Sequence, residues 1–364
     1  MSSKQRTSNR KSIILKRSLY LLELNEYNRP IGFLATFPLA VGIPIMLGVY
    51  FGNFALGAEA SIGGLVSLYL LHTNLSNRLA RMVVVSFGFC SSFIICLLAG
   101  FHPLALVAAI GFVAFWATFI CRYFSVPPPG SFFFIMVACI ATSMEFDLTL
   151  LAERSGILLL GSIGAITLAL IYSLIQISNS NTEELHEVEC NKPNRVAIFL
   201  DSVTIAIFVS ISYLLALLLG FENPYWAPIS CAAILQGANF SIVKLRNVHR
   251  ILGTAIGMVL TWGIFSLEPS PWVLAFLIII LCIAIELLIT RNYGFAVIFI
   301  TPFTIIIAES THASMGIDLL IFHRMTDVVL GSIVGCLGGW FLYQKTLYNR
   351  MEQTISRWLY KSKT

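Results

Sequence analysis

The sequence predicts an all-α integral membrane protein of about twelve transmembrane helices, arranged as two parallel six-helix repeats. Three observations predict it: an apolar composition, twelve apolar runs, and a series of residues matched half a chain apart. Of 364 residues, 57% are hydrophobic and 11% charged, against about a quarter charged in soluble domains. A soluble fold of this size could not hide that much apolar surface from water, whereas a bilayer takes the place of water around it.

A membrane-spanning helix needs about 20 mostly apolar residues, since each adds about 1.5 Å of rise. Candidate spans lie near 31–50, 57–72, 82–100, 103–121, 130–145, 156–177, 196–219, 225–240, 251–267, 271–289, 294–309 and 324–343. They are continuously apolar and lack the short alternating segments of a barrel. The chain then divides into a basic tail (1–30), a first repeat (31–177), a polar and acidic linker (178–194), a second repeat (195–343) and a second tail (344–364). Residues 12–24 of the first tail mix apolar and basic side chains, suited to lying along the membrane face. That tail has neither the uninterrupted apolar core nor the cleavage site of a removable signal peptide.

Charge orients the spans. Cytoplasmic loop ends collect Lys and Arg. With the amino terminus inside and twelve crossings, 21 of the 23 basic residues lie inside, and only Arg154 and Arg324 lie outside. The outer loops carry Asp147, Glu153, Glu222, Glu268 and Asp318. Both termini are expected in the cytoplasm. The net charge of +5 is spread over many inner loop ends, so anionic lipid headgroups explain it better than nucleic acid.

The repeat emerges from matched residues. Gly52 pairs with Gly220 and Pro103 with Pro271 at a spacing of 168, and Arg81 with Arg250 and Arg122 with Arg291 at 169. Arg154 pairs with Arg324 at 170, and each is followed seven residues later by Gly-Ser-Ile, at Gly161 and Gly331. Six spans per half bring both halves into the membrane in the same sense, a repeat about the membrane normal.

Spans 2, 5, 8 and 11 are short, roughly 16 residues or about 24 Å against a hydrocarbon core of about 30 Å. They carry Gly63 and Gly64, Gly130, Pro228 with Gln236 and Asn239, and Pro302. Short interrupted spans at matching places point to a transport pathway, and equally suit tilted packing helices near the repeat axis. Four acids fall in apolar runs: Glu59, Asp201, Glu286 and Asp327. Buried charges are functional candidates by default, yet each has a structural reading. Arg324 can pair with Asp327 one turn on, Glu59 is near the outer surface, and Asp201 and Glu286 are near the inner one.

Arg154 and Arg324 break the inside rule at equivalent places, where a cation could attract a departing anion. Arg81 and Arg250 open spans 3 and 9 and would serve the inner mouth, although capping and headgroup contacts also explain them. The eight cysteines show no metal or redox spacing. Cys190 lies in the linker and the other seven in spans, so disulfides are not expected. No glycine-rich phosphate loop or supported Ser-His-Asp set occurs, so no enzyme, ATP-driven pump, metal or cofactor is expected.

One stretch runs Pro224-Tyr225-Trp226-Ala227-Pro228, then Gln236, Arg246, Arg250, Gly253-Thr254 and Gly257. It resembles the fusaric acid resistance protein-like family, which includes bacterial aromatic carboxylic acid exporters and is distantly similar to plant aluminium-activated malate transporters. The first half echoes it through Arg81 and Gly88 without the Trp, and the resemblance covers most of the membrane region. It implies six-helix bundles in a bacterial inner membrane and secondary, non-ATP export of aromatic or other organic carboxylic acids. An organic-anion channel and a non-transporting envelope scaffold are the alternatives. The implied partners are membrane lipids and a small organic anion, with a homo-oligomer left open. Larger family exporters carry a sizeable cytoplasmic portion that is reduced here to the linker and tails, which leaves a periplasmic adaptor doubtful.

Overall fold

The computed structural model describes residues 23–26, 32–70, 74–179, 194–309 and 317–344. The readings made for most of both tails, for most of the linker with Cys190, and for Asp318 as an outer acid lie outside the described residues and side chains. Twelve α-helices and no strand occur among the described residues. They are α1 Phe33–Tyr50, α2 Phe54–Gly64, α3 Leu75–Leu98, α4 Pro103–Tyr123, α5 Phe132–Ala141 and α6 Leu151–Asn179. The second six are α7 Arg195–Leu218, α8 Trp226–Leu235, α9 Phe240–Phe265, α10 Pro271–Ile289, α11 Tyr293–Glu309 and α12 Ile317–Leu342. Each falls on one of the twelve apolar runs. Seven of them (α3, α4, α6, α7, α9, α10 and α12) are long and apolar enough to cross a membrane, and the rest offer shorter apolar stretches.

Several matched residues do the same local work in both halves. Gly52 and Gly220 follow the ends of α1 and α7 with φ of 74° and 71°, the left-handed conformation that lets a helix stop without a Cβ clash. Pro103 and Pro271 open α4 and α10, where a missing amide hydrogen and a fixed φ suit the first turn. Gly161 on α6 presses on the carbonyl oxygen of Ala60 on α2, and Gly331 on α12 presses on that of Ala227 on α8. A Cβ at either glycine would collide with that backbone.

The helix pairings repeat as well. α1 packs on α2 and α6, α2 on α6, and α3 on α5 and α6; six helices later α7 packs on α8 and α12, α8 on α12, and α9 on α11 and α12. Across the middle, α4 meets α7 while α10 meets α1, and α5 meets α8 while α11 meets α2. The long helices turn large apolar side chains outward, among them Val84, Phe87, Leu160, Ile163, Val259 and Phe276, as lipid contact requires. The short helices go to the centre. All ten residues of α8 are buried.

Ten residues give α5 and α8 about 15 Å of helix, half the hydrocarbon thickness. Non-helical chain flanks both of them at each end. Such backbone is tolerated at depth where protein or a water-filled cavity satisfies it. At one end of the bundle, the Asn25 amide donates to the Arg291 carbonyl at 3.0 Å and the Asn292 amide nitrogen to the Glu23 carbonyl at 3.0 Å. The first tail therefore docks beside the α10–α11 turn. Tyr343, at the end of α12, donates to the Gly237 carbonyl at 2.6 Å in the α8–α9 turn.

Two helix starts differ from expectation. α3 begins at Leu75 and α9 at Phe240, so Arg81 and Arg250 do not open their spans and gain nothing from a helix N-terminus. The apolar runs start later than the helices because the first turns of both carry Arg78, Lys244 and Arg246.

Candidate functional site

A cavity of about 370 Å³ opens among α2, α5, α6, α8 and α11 at the end expected to face outward. Thus all four short spans reach it. The α2 face contributes Ala58, Glu59, Ser61 and Ile62; α5 contributes Met136 and Ile140; α8 contributes Trp226 beside Tyr225; and α11 contributes Phe303 and Thr304. Ser143, Met144 and Glu145 of the α5–α6 loop, and Arg154 of α6, complete the wall. Such a chamber is mostly apolar with a few polar groups, and its volume lies in the range of about 300–1,000 Å³ usual for small-molecule sites.

Arg154 stands in the first turn of α6, partly exposed, and its Nη1 donates to the Glu145 carbonyl at 2.9 Å. The loop it anchors is itself folded on Asp147. The Thr149 hydroxyl and amide donate to that carboxylate at 2.7 and 2.8 Å. These bonds, the side-chain one foremost, hold the fully exposed Asp147 carboxyl below its usual range. Glu59 is half-buried one helix away and within electrostatic reach of Arg154. Its Oε1 is buried without a hydrogen-bond donor among the described residues.

Arg324 sits behind the opposite wall, 5% exposed. Its guanidinium carbon lies 3.1 Å from the centre of the Trp226 ring, a cation–π contact, and Nη2 donates to Thr304 Oγ1 at 3.1 Å. Asp327, one turn on and fully buried, lies within reach of that charge. The two arginines that broke the inside rule therefore flank one cavity, Arg154 in its wall and Arg324 behind the lining residues Trp226 and Thr304.

The other candidates lie elsewhere. Asn239 is exposed and caps α9, accepting from the Ile242 amide at 2.9 Å, so its polarity serves the helix end. Gln236 lies at the far end of α8, where Nε2 reaches Ser131 Oγ at 3.5 Å. Arg250 is buried and donates to Ser230 Oγ of α8 at 3.2 and 3.4 Å. Arg81 is half-buried on α3 near Cys121. Asp201 forms an ion pair with Arg122 that joins α7 to α4, a partner its place in the sequence did not indicate. The sequence reading missed Thr304 and Met136. Neither carries a motif; only the packing of α5 and α11 brings them to the chamber.

Residues 211–338, from α7 into α12, match the family model described as fusaric acid resistance protein-like. That match is narrower than the resemblance suggested, which took in both halves. Over 140 residues the chain is 36% identical to the uncharacterized membrane protein YvaC of Bacillus subtilis (strain 168). The aligned stretch is 38% of this chain and spans only 22% of that relative's length. No solved structure matches the chain. This is a helical membrane protein whose second half, residues 211–338, carries the fusaric acid resistance protein-like match.

Proposed function

We propose that the protein is a secondary transporter of organic carboxylates, aromatic ones included, and that the chamber is its substrate site. The observation that carries this reading is the convergence of α2, α5, α8 and α11, from both halves, on one cavity with a guanidinium in its wall. An arginine grips a carboxylate with two parallel hydrogen bonds, while Trp226, Phe303, Met136 and Met144 offer apolar surface to the rest of the molecule. The family match to residues 211–338 supports transport in general terms.

In the same reading the chain crosses the membrane twelve times as two repeats about the membrane normal, with both termini cytoplasmic. The repeated helix pairings and the docking of residues 23–26 beside Arg291 support it. Lipid surrounds the bundle, and the chain acts as a carrier and not as an enzyme. The test is uptake and release of benzoate by liposomes containing the purified protein. Flux above empty liposomes is expected, reduced several-fold by Arg154→Gln. Flux equal to that of empty liposomes across a panel of aromatic acids would leave a scaffold as the better reading.

A further inference from the structure

Building on the chamber as substrate site, we infer that Glu59 is its proton-binding residue: its carboxylate competes with a substrate anion for Arg154, and protonation releases Arg154 to the substrate. Three observations lead there. First, Glu59 lines the chamber while its Oε1 is buried without a donor among the described residues, a poor place to keep a charge permanently. Second, Arg154 is within electrostatic reach, and among the described residues the chamber wall holds no other cation.

Third, the fold does not require an acid at this place. The contacts of Gly161 with Ala60 and of Gly331 with Ala227 set the register between the halves. They align Ala60 with Ala227, hence Glu59 with Trp226. In the second half an indole occupies the position and receives the Arg324 charge on its ring. Glu59 is therefore a local choice of the first half, made where substrate would sit.

The surroundings of Glu59 are few. From α6 come Arg154 and the acid Glu153. The α5–α6 loop brings Glu145, which is exposed. α1 has no charged residue; α11 bears Tyr293 at its other end and closes at the chamber end on Glu309, next to the lining residue Ala308, with the Glu309 side chain outside the described ones. Deprotonated Glu59 cancels much of the Arg154 charge and repels an entering anion. A proton taken from water at the mouth forms an O–H bond on Glu59, removes one negative charge, and leaves Arg154 uncompensated. The anion then binds with that proton, and both leave together. Affinity is therefore highest below the titration of Glu59 and falls as pH rises through it.

The experiment measures benzoate binding to the full-length protein in nanodiscs by isothermal titration calorimetry, from about pH 5.5 to about pH 8.5, where a carboxylic acid with a pKa near 4 stays ionised. For the unaltered protein, affinity is expected to fall about tenfold across the range, the order of effect of one nearby charge in a partly screened site. Glu59→Gln should bind as the unaltered protein does at low pH and stay flat. Glu59→Asp should retain a pH dependence, and Glu145→Gln should keep most of it. A pH dependence that survives in a folded, binding-competent Glu59→Gln protein overturns the proposal and leaves the substrate site standing. No benzoate binding at any pH overturns both.

Discussion

Arg154 and Arg324 hold equivalent places in the two halves, each seven residues before a glycine that lets α6 or α12 touch a short helix. Their surroundings have diverged. Arg154 is half-exposed, tied to one backbone carbonyl and facing a carboxylate across the chamber. Arg324 is buried against an indole ring, a threonine hydroxyl and an aspartate. One scaffold thus supports two kinds of cation. The first has its donors largely available, and the second is engaged in holding α8, α11 and α12 together. The matching helix contacts supply the position, and the neighbours decide whether it serves binding or packing.

The sharpest way to break this comparison is to remove the Arg324 charge. Arg324→Gln takes away the cation within electrostatic reach of Asp327, which is fully buried with both carboxyl oxygens lacking a hydrogen-bond donor among the described residues, and a buried charge without compensation is costly. Thermal unfolding in detergent should show a large loss. The double variant Arg324→Gln/Asp327→Asn should recover part of it, because no lone charge remains inside. A single variant as stable as the parent would remove the structural role assigned to Arg324.

Next come the two glycines. Adding a methyl at Gly161 or Gly331 pushes it into the Ala60 or Ala227 carbonyl, and overpacking against backbone costs about 1–3 kcal/mol. Gly161→Ala and Gly331→Ala should destabilise to a similar extent. Gly156→Ala and Gly164→Ala on the same helix as Gly161, with open space around them, should be neutral or mildly stabilising. Equal losses sharpen the equivalence of the halves. A loss at only one glycine breaks it.

The placement of the helices was legible in the sequence because hydrophobic burial in a bilayer leaves continuous apolar runs. All twelve helices lie on those runs, and the short ones were recognisable from their length and breakers. Helix starts were less legible. The first turns of α3 and α9 carry Arg78, Lys244 and Arg246, and an apolar run excludes them although Arg78 donates to Ser173 and Gln176 and Arg246 to the Ala233 carbonyl. Arg154, Glu59 and Trp226 could be singled out as unusual residues in apolar surroundings. Their meeting in one chamber could not, since it depends on how α2, α5, α8 and α11 cross. Asn239 and Gln236 stood out for the same polarity, but polarity alone does not distinguish a cap or a helix-end bond from a cavity wall.

A smaller effect is expected at Trp226. Trp226→Leu keeps an apolar side chain in α8 but removes the ring face beneath Arg324, a contact worth about 0.5–2 kcal/mol. Unfolding should shift modestly, and less than for Arg324→Gln. A double-mutant cycle with Arg324→Gln measures the coupling; a coupling near zero would show that the guanidinium rests on the ring without being held by it.

The smallest loss of stability is expected where the functional reading places the largest consequence for transport. Arg154 is partly exposed and, among the described residues, makes one hydrogen bond, to the Glu145 carbonyl. Removing a charge in such a setting costs about 1 kcal/mol or less. Arg154→Gln should therefore unfold close to the parent while benzoate flux in liposomes falls several-fold. Arg154→Lys should restore part of that flux, since a point charge attracts the anion but cannot grip it with two parallel bonds. Loss of stability and flux together would make Arg154 a second Arg324, a packing residue whose removal disturbs the chamber indirectly. Unchanged flux in a stable Arg154→Gln protein would leave the residue as an anchor for the α5–α6 loop, and the two cations would then differ in burial alone.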